Sequence, residues 1–103
     1  MAYIHEHYTE PISREDLAQH CCVNERYLTR CFHQETGVTP IAYLIRYRIQ
    51  QAKVLLDAGQ LSVTDVGLAT GFSDGGYFGR VFQKEVGITP GAYRRGQRIA
   101  SAQ

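Results

Sequence analysis

The chain reads as all-α, with seven helices arranged as two copies of one unit joined by a long helix. Three observations predict this. The sequence repeats itself at an offset of 49 to 50 residues. Helix-start residues and helix-stop glycines recur at matching places in both copies. No segment shows the strict alternation of apolar and polar residues that marks a strand.

The first copy is "ISREDLAQHCCVNERYLTRCFHQETGVTPIAYLIRYRI" and the second "LSVTDVGLATGFSDGGYFGRVFQKEVGITPGAYRRGQRI". The offset is 49 up to the cap of the second helix in each copy and 50 after it. Ser13, Asp16 and Leu17 match Ser62, Asp65 and Val66. Tyr27, Arg30 and Phe32 match Tyr77, Arg80 and Phe82. Gly37, Thr39, Pro40 and Tyr43 match Gly87, Thr89, Pro90 and Tyr93. Two copies are too few for a solenoid, so a paired module is the better reading.

"AYIHEHY" opens the chain as a helix with Tyr3, Ile4, His7 and Tyr8 on one face, closed by Glu10-Pro11. Ser13 then caps a short helix, with Asp16 at capping-box spacing. That helix ends near Cys21, and Leu17 and Ala18 face inward. After a tight turn, Asn24 caps a second helix whose apolar stripe is Tyr27, Leu28, Cys31 and Phe32. Gly37 stops it, as glycine just past a helix end does. Thr39 caps the joining helix and Pro40 takes its first position, where no backbone donor is needed. This helix runs to about Ala58, and Gly59 ends it. The second copy repeats the scheme. Ser62 caps Val63 to Thr70, Gly71-Phe72 turns, Ser73 caps a helix from Asp74 to Val86, Gly87 stops it, and Thr89-Pro90 starts the last helix. Residues 1–58 and 59–103 are read as the two parts of one module.

A short helix, a tight turn and a longer helix with an apolar inner face make a helix-turn-helix. The joining helix is about 27 Å long at 1.5 Å per residue. Major-groove faces on one side of B-DNA recur about every 34 Å. A helix of that length suits two reading helices, about residues 24–36 and 74–86, in adjacent major grooves.

Composition narrows the class further. No apolar run reaches the length of a membrane span, and no export signal opens the chain. Three cysteines close no disulfide framework, so a reducing cytoplasm is the expected home. Net charge is only +1, but Arg46, Arg48 and Lys53 face a single acid in the joining helix, and Arg94, Arg95 and Arg98 face none in the tail. Arg48 and Arg98 are repeat equivalents, each suited to a phosphate or to an ion pair with Asp65. His20, Cys21, Cys22, Cys31 and His33 lie near one another, without the paired Cys-x-x-Cys spacing of a zinc site. His5 and His7 point to different helix faces. No nucleophile with a nearby base, phosphate-binding glycine loop or carboxylate pair is present, which excludes the common enzyme classes. The expectation is no enzyme, no cofactor and no metal. The aromatics Tyr27, Phe32, Tyr43, Phe72, Tyr77, Phe78 and Phe82 are read as core by their periodicity.

At "VTDVGLATGFSDGGYFGRVFQKEVGITPGAYR" the sequence resembles the DNA-binding domain of the AraC/XylS family of bacterial transcription regulators. Gly71, Phe72, Ser73, Asp74, Tyr77, Phe78, Arg80, Phe82, Gly87, Thr89, Pro90, Tyr93 and Arg94 match the family signature, as do "RIQQAKVLL" and Tyr27-Leu28. The acceptor motif Pro-Cys-His of related DNA-repair methyltransferases is absent. The resemblance implies a monomeric module on double-stranded promoter DNA, with RNA polymerase as a further partner and no membrane. Helix one begins at Ala2 without a capping residue, from which a sensing or dimerisation domain before it is expected. Base contacts are expected from Glu25, Arg26, Thr29, Arg30 and His33 in the first unit. In the second they are expected from Asp74, Gly75, Gly76, Gly79, Arg80 and Gln83. Arg26 and Arg30 suit guanine, and Thr29 suits a thymine methyl. The caps Asn24 and Ser73 suit phosphates. Gly75, Gly76 and Gly79 stand where the family usually has polar side chains. The first unit is therefore expected to read sequence, and the second to bind backbone and shape, its glycines allowing close approach. Two other classes stay open: an interaction module without DNA affinity, and a redox or metal sensor acting through Cys21, Cys22 and Cys31.

Overall fold

The computed structural model describes residues 2–96. Arg98, with Met1 and Ile99, lies outside them. The described residues form seven helices and no strand: α1 Ala2–His7, α2 Arg14–His20, α3 Glu25–Thr36, α4 Pro40–Ala58, α5 Val63–Ala69, α6 Gly75–Val86 and α7 Pro90–Arg94. Packing divides the chain within α4, into Met1–Tyr47 and Arg48–Gln103. The sequence reading draws that line at the end of the helix.

Local chemistry sets most boundaries. Ser13 and Asp16 form the full capping box, with Ser13 Oγ accepting from the Asp16 N–H at 3.1 Å and an Asp16 oxygen accepting from the Ser13 N–H at 2.9 Å. Ser62 Oγ accepts from the Asp65 N–H, also at 3.1 Å. Thr39 and Thr89 cap α4 and α7, each one residue before its proline. Gly37, Gly59 and Gly87 close α3, α4 and α6 with positive φ, the conformation that glycine adopts without a Cβ penalty.

Unit 1 packs α1, α2, α3 and the start of α4 around Ile4, Leu17, Ala18, Leu28 and Leu44. Val23, Phe32, Tyr43 and Tyr47 lie half-buried against that cluster. The exposed ends of α1 are held by polar and ring contacts. His5 hydrogen-bonds the Tyr43 hydroxyl at 2.8 Å, and the Tyr3 ring lies 4.5 Å from His7 and 4.2 Å from His20. Unit 2 buries Ile49, Ala52, Leu56, Val66, Phe72, Phe78, Phe82, Ala92 and Tyr93. Its rings run as a chain, Phe72 to Phe78 at 5.1 Å, Phe78 to Phe82 at 5.7 Å and Phe82 to Tyr93 at 5.5 Å.

The turns between α2 and α3 and between α5 and α6 are built alike. Val23 donates its N–H to the Ala18 carbonyl and Phe72 to that of Gly67, both at 3.0 Å. Each follows a residue of positive φ, Cys22 at 58° and Gly71 at 99°. A cysteine in this conformation carries a cost that the glycine avoids. Ser73 is then the one extra residue of the second copy, and it does not cap. Asp74 does, its Oδ1 accepting from the Tyr77 N–H at 2.7 Å as Asn24 Oδ1 accepts from the Tyr27 N–H at 2.8 Å. The expected cap at Ser73 is thus corrected by one residue.

Candidate nucleic-acid interface

Each unit presents the second helix of its helix-turn-helix with one face buried and one open. On α3, Leu28 faces the core while Glu25, Arg26, Arg30 and His33 are exposed. Arg26, Arg30 and His33 fall four and three residues apart, which sets them in one stripe. Thr29, expected on the open face, is half-buried at its edge. Asn24 is exposed, with its side-chain oxygen already engaged in the cap.

On α6 the buried residues are Phe78 and Phe82, and the exposed ones include Gly76, Arg80 and Gln83. Ser73 and Asp74 are exposed before the helix, and Gly75 and Gly79 are half-buried. The three glycines have different surroundings. A Cβ on Gly75 would stand 3.0 Å from the Thr64 side chain, so this glycine lets α5 and α6 pack closely. A Cβ on Gly76 would stand 3.3 Å from Asp74 Oδ1 and 3.6 Å from Arg80 Nη1. The Arg80 guanidinium thus folds back over Gly76 toward the start of the helix. A Cβ on Gly79 would meet nothing within 4 Å. Close approach to DNA is therefore not needed to explain Gly75.

Arg26, Arg30 and Arg80 enter no salt bridge among the described residues, so their charge faces solvent. Arg48 behaves differently. It is 9% exposed, with its guanidinium 5.9 Å from the centre of the Phe72 ring. Burial lowers its pKa, and the Tyr77 hydroxyl opposes that by raising it. Arg48 is thus part of the interior of unit 2.

Two tyrosines depart from the sequence reading. Tyr27 is 51% and Tyr77 39% exposed, although both were assigned to the core. They occupy the same register, three residues after the caps Asn24 and Asp74, on the flank of the apolar stripe. A stripe at i, i+1, i+4, i+5 spans more than the buried arc, and periodicity does not say which edge is wet. Their identical position in both copies was the signal that could have flagged them. The cysteines are dispersed: Cys21 and Cys22 are exposed, Cys31 half-buried, and no group of three or more possible ligands that could hold a metal ion occurs among the described residues.

Residues 17–96 match a family model described as a helix-turn-helix domain. The transcriptional activator RhaS of Escherichia coli is 36% identical over 78 residues, 76% of this chain. The chain spans 28% of the length of that curated relative. Among solved structures, the DNA-binding domain of AdpA, in complex with a target DNA, is 32% identical with a TM-score of 0.89, covering 99% of this chain and 92% of that one. The C-terminal domain of AraT, a response regulator from Geobacillus stearothermophilus, is 30% identical with a TM-score of 0.88, covering 92% and 79%. An AraC-type regulator from Chromobacterium violaceum is 34% identical with a TM-score of 0.83, covering 94% and 86%.

Proposed function

Since this chain belongs to the AraC/XylS family of helix-turn-helix transcription regulators, we propose that it binds promoter DNA through α3 and α6, each in a major groove. The observation that carries this reading is the exposed arginine on the open face of each second helix, with no salt bridge among the described residues. Arg26 and Arg30 supply it in unit 1, and Arg80 in unit 2. Arg26 and Arg30 each have the two-donor edge that matches guanine O6 and N7. Thr29, at the border of the stripe, suits a thymine methyl.

The second unit offers less. With glycine at 75, 76 and 79, Arg80 and Gln83 are the side chains of α6 that this reading assigns to base edges, and the exposed Lys84, four residues after Arg80, suits a phosphate. Unit 1 therefore carries most of the sequence reading, and unit 2 contributes phosphate contacts and response to DNA shape. Tyr27, half exposed beside the open face of α3, suits a phosphate oxygen through its hydroxyl. A preceding sensing domain and a contact with RNA polymerase belong to the same proposal. The sensing domain is motivated by the length of the RhaS activator, of which the chain spans 28%.

The test is selection from random duplexes of about two turns, read by fluorescence anisotropy at about 50 and 200 mM salt. The expected result is a loss of about 10³–10⁵ in affinity across that range, as for 6–10 phosphate contacts. The selected sites should hold one sharply defined half and one loosely defined half. Two equally sharp halves would refute the division of labour. Binding that ignores salt would refute the interface.

A further inference from the structure

Unit 1 contains a pocket of about 260 Å³ lined by Cys21, Val23, Tyr27, Leu28, Cys31, Phe32 and Glu35. Its lining is mostly apolar, with the two thiols, the Tyr27 ring and the Glu35 carboxylate. The pocket opens to solvent on the side of Cys21, Tyr27 and Glu35, which are exposed; an enclosed apolar cavity of about 150 Å³ suffices for a benzene ring, so the volume admits one aromatic ring.

Unit 2 holds the key to its shape. The turns superpose residue for residue through their backbone hydrogen bonds, Val23 to Ala18 and Phe72 to Gly67. At the position of Val23, unit 2 therefore carries the ring of Phe72, which is 4% exposed. That ring meets Tyr77 at 5.9 Å, Phe78 at 5.1 Å and the Arg48 guanidinium at 5.9 Å. Tyr27 and Leu28 are the counterparts of Tyr77 and Phe78. Unit 1 thus keeps much of the frame around an aromatic ring, with valine where the ring would be and leucine where unit 2 has a second ring.

We propose that this pocket is a binding site for a small aromatic amine. Its ring takes the place that Phe72 fills in unit 2, against Val23, Leu28 and Tyr27. The thiols of Cys21 and Cys31 add polarizable contacts to the ring. Its ammonium group pairs with Glu35, the only charged residue of the lining. The proposal does not depend on DNA binding.

Tryptamine is the probe. The chain has no tryptophan, so indole emission comes from the probe alone and its anisotropy reports binding. The expected result is saturable binding that falls in the order tryptamine, indole, indole-3-acetate. Val23→Phe, which supplies the missing ring, should weaken tryptamine at least about tenfold, because the ring loses its burial. Glu35→Gln should bring tryptamine down to the level of indole. On the unaltered protein, tryptamine should slow alkylation of Cys31 and Cys21 by iodoacetamide and leave Cys22, which does not line the pocket, unchanged. Absence of saturable binding, or equal protection of all three cysteines, would overturn the proposal. So would undiminished binding by a folded Val23→Phe protein.

Discussion

Gly67 is the residue on which the packing of unit 2 turns. It sits buried in the middle of α5, and a Cβ there would stand 2.7 Å from Cβ, Cγ and Cδ2 of Phe78. Carbon atoms pack at about 3.5–4.0 Å. Gly67→Ala therefore requires α5 and α6 to part by roughly 1 Å. The obstacle includes the Phe78 Cβ, which is fixed to the backbone, so rotating the ring does not relieve it. Overpacking of this kind costs about 1–3 kcal/mol. Alanine returns up to about 1 kcal/mol of helix propensity. With the full return the net loss is up to about 2 kcal/mol, centred on about 1 kcal/mol, or roughly 4–8 °C in Tm at that centre for a domain of this size. Urea unfolding followed by far-UV circular dichroism measures it. The internal repeat supplies a second arm. Unit 1 pairs Ala18 with Leu28 where unit 2 pairs Gly67 with Phe78, a larger residue on one helix set against a smaller one on the other. Phe78→Leu should cost stability alone, yet couple favourably with Gly67→Ala by at least about 0.5 kcal/mol in a double-mutant cycle. A Gly67→Ala protein as stable as the parent, or a cycle with no coupling, would refute the reasoning.

The remaining expectations are simpler. Gly79→Ala, with open space around its Cβ, should stabilise by about 0.5–1 kcal/mol in the same urea assay; destabilisation would mean that α6 needs this glycine for packing. Asp74→Ala should cost about 0.5–2 kcal/mol through loss of the cap, while Ser73→Ala should stay within about 0.5 kcal/mol; the reverse order in thermal melts would restore Ser73 as the cap. Arg26→Ala and Arg30→Ala should each cost about 1–3 kcal/mol in affinity for a selected site and relax its preference at one base pair. Arg80→Ala should lower affinity more evenly across sequences, as competition against random DNA would reveal.

The correction at Ser73 shows how much lay within reach of the sequence. The repeat offset changes from 49 to 50 at the cap. Assigning the extra residue to Ser73 aligns Asp74 with Asn24, which is the arrangement the hydrogen bonds display. Serine and aspartate are both good caps, so residue type alone does not choose between them. The choice falls to the turn, which leaves Asp74 extended with its Oδ1 on the Tyr77 N–H. The expected interface residues show the same limit. Arg26, Arg30, His33, Arg80 and Gln83 are exposed as their spacing implies, whereas Thr29, Gly75 and Gly79 are partly covered.

By itself the sequence determined the seven helices, their caps to within one residue, the repeat and the stripes that face outward. These depend on interactions within a few residues of chain, which the chain records directly. Tertiary structure decided the rest. It left Tyr27 and Tyr77 wet at the edge of their stripes, buried Arg48 on the Phe72 ring, and gave Gly75 and Gly67 their partners in Thr64 and Phe78. It also left a pocket beside Val23 in unit 1, where unit 2 buries the matching Phe72. Each of these depends on how closely two helices approach, and that distance is set by side chains far apart in the sequence.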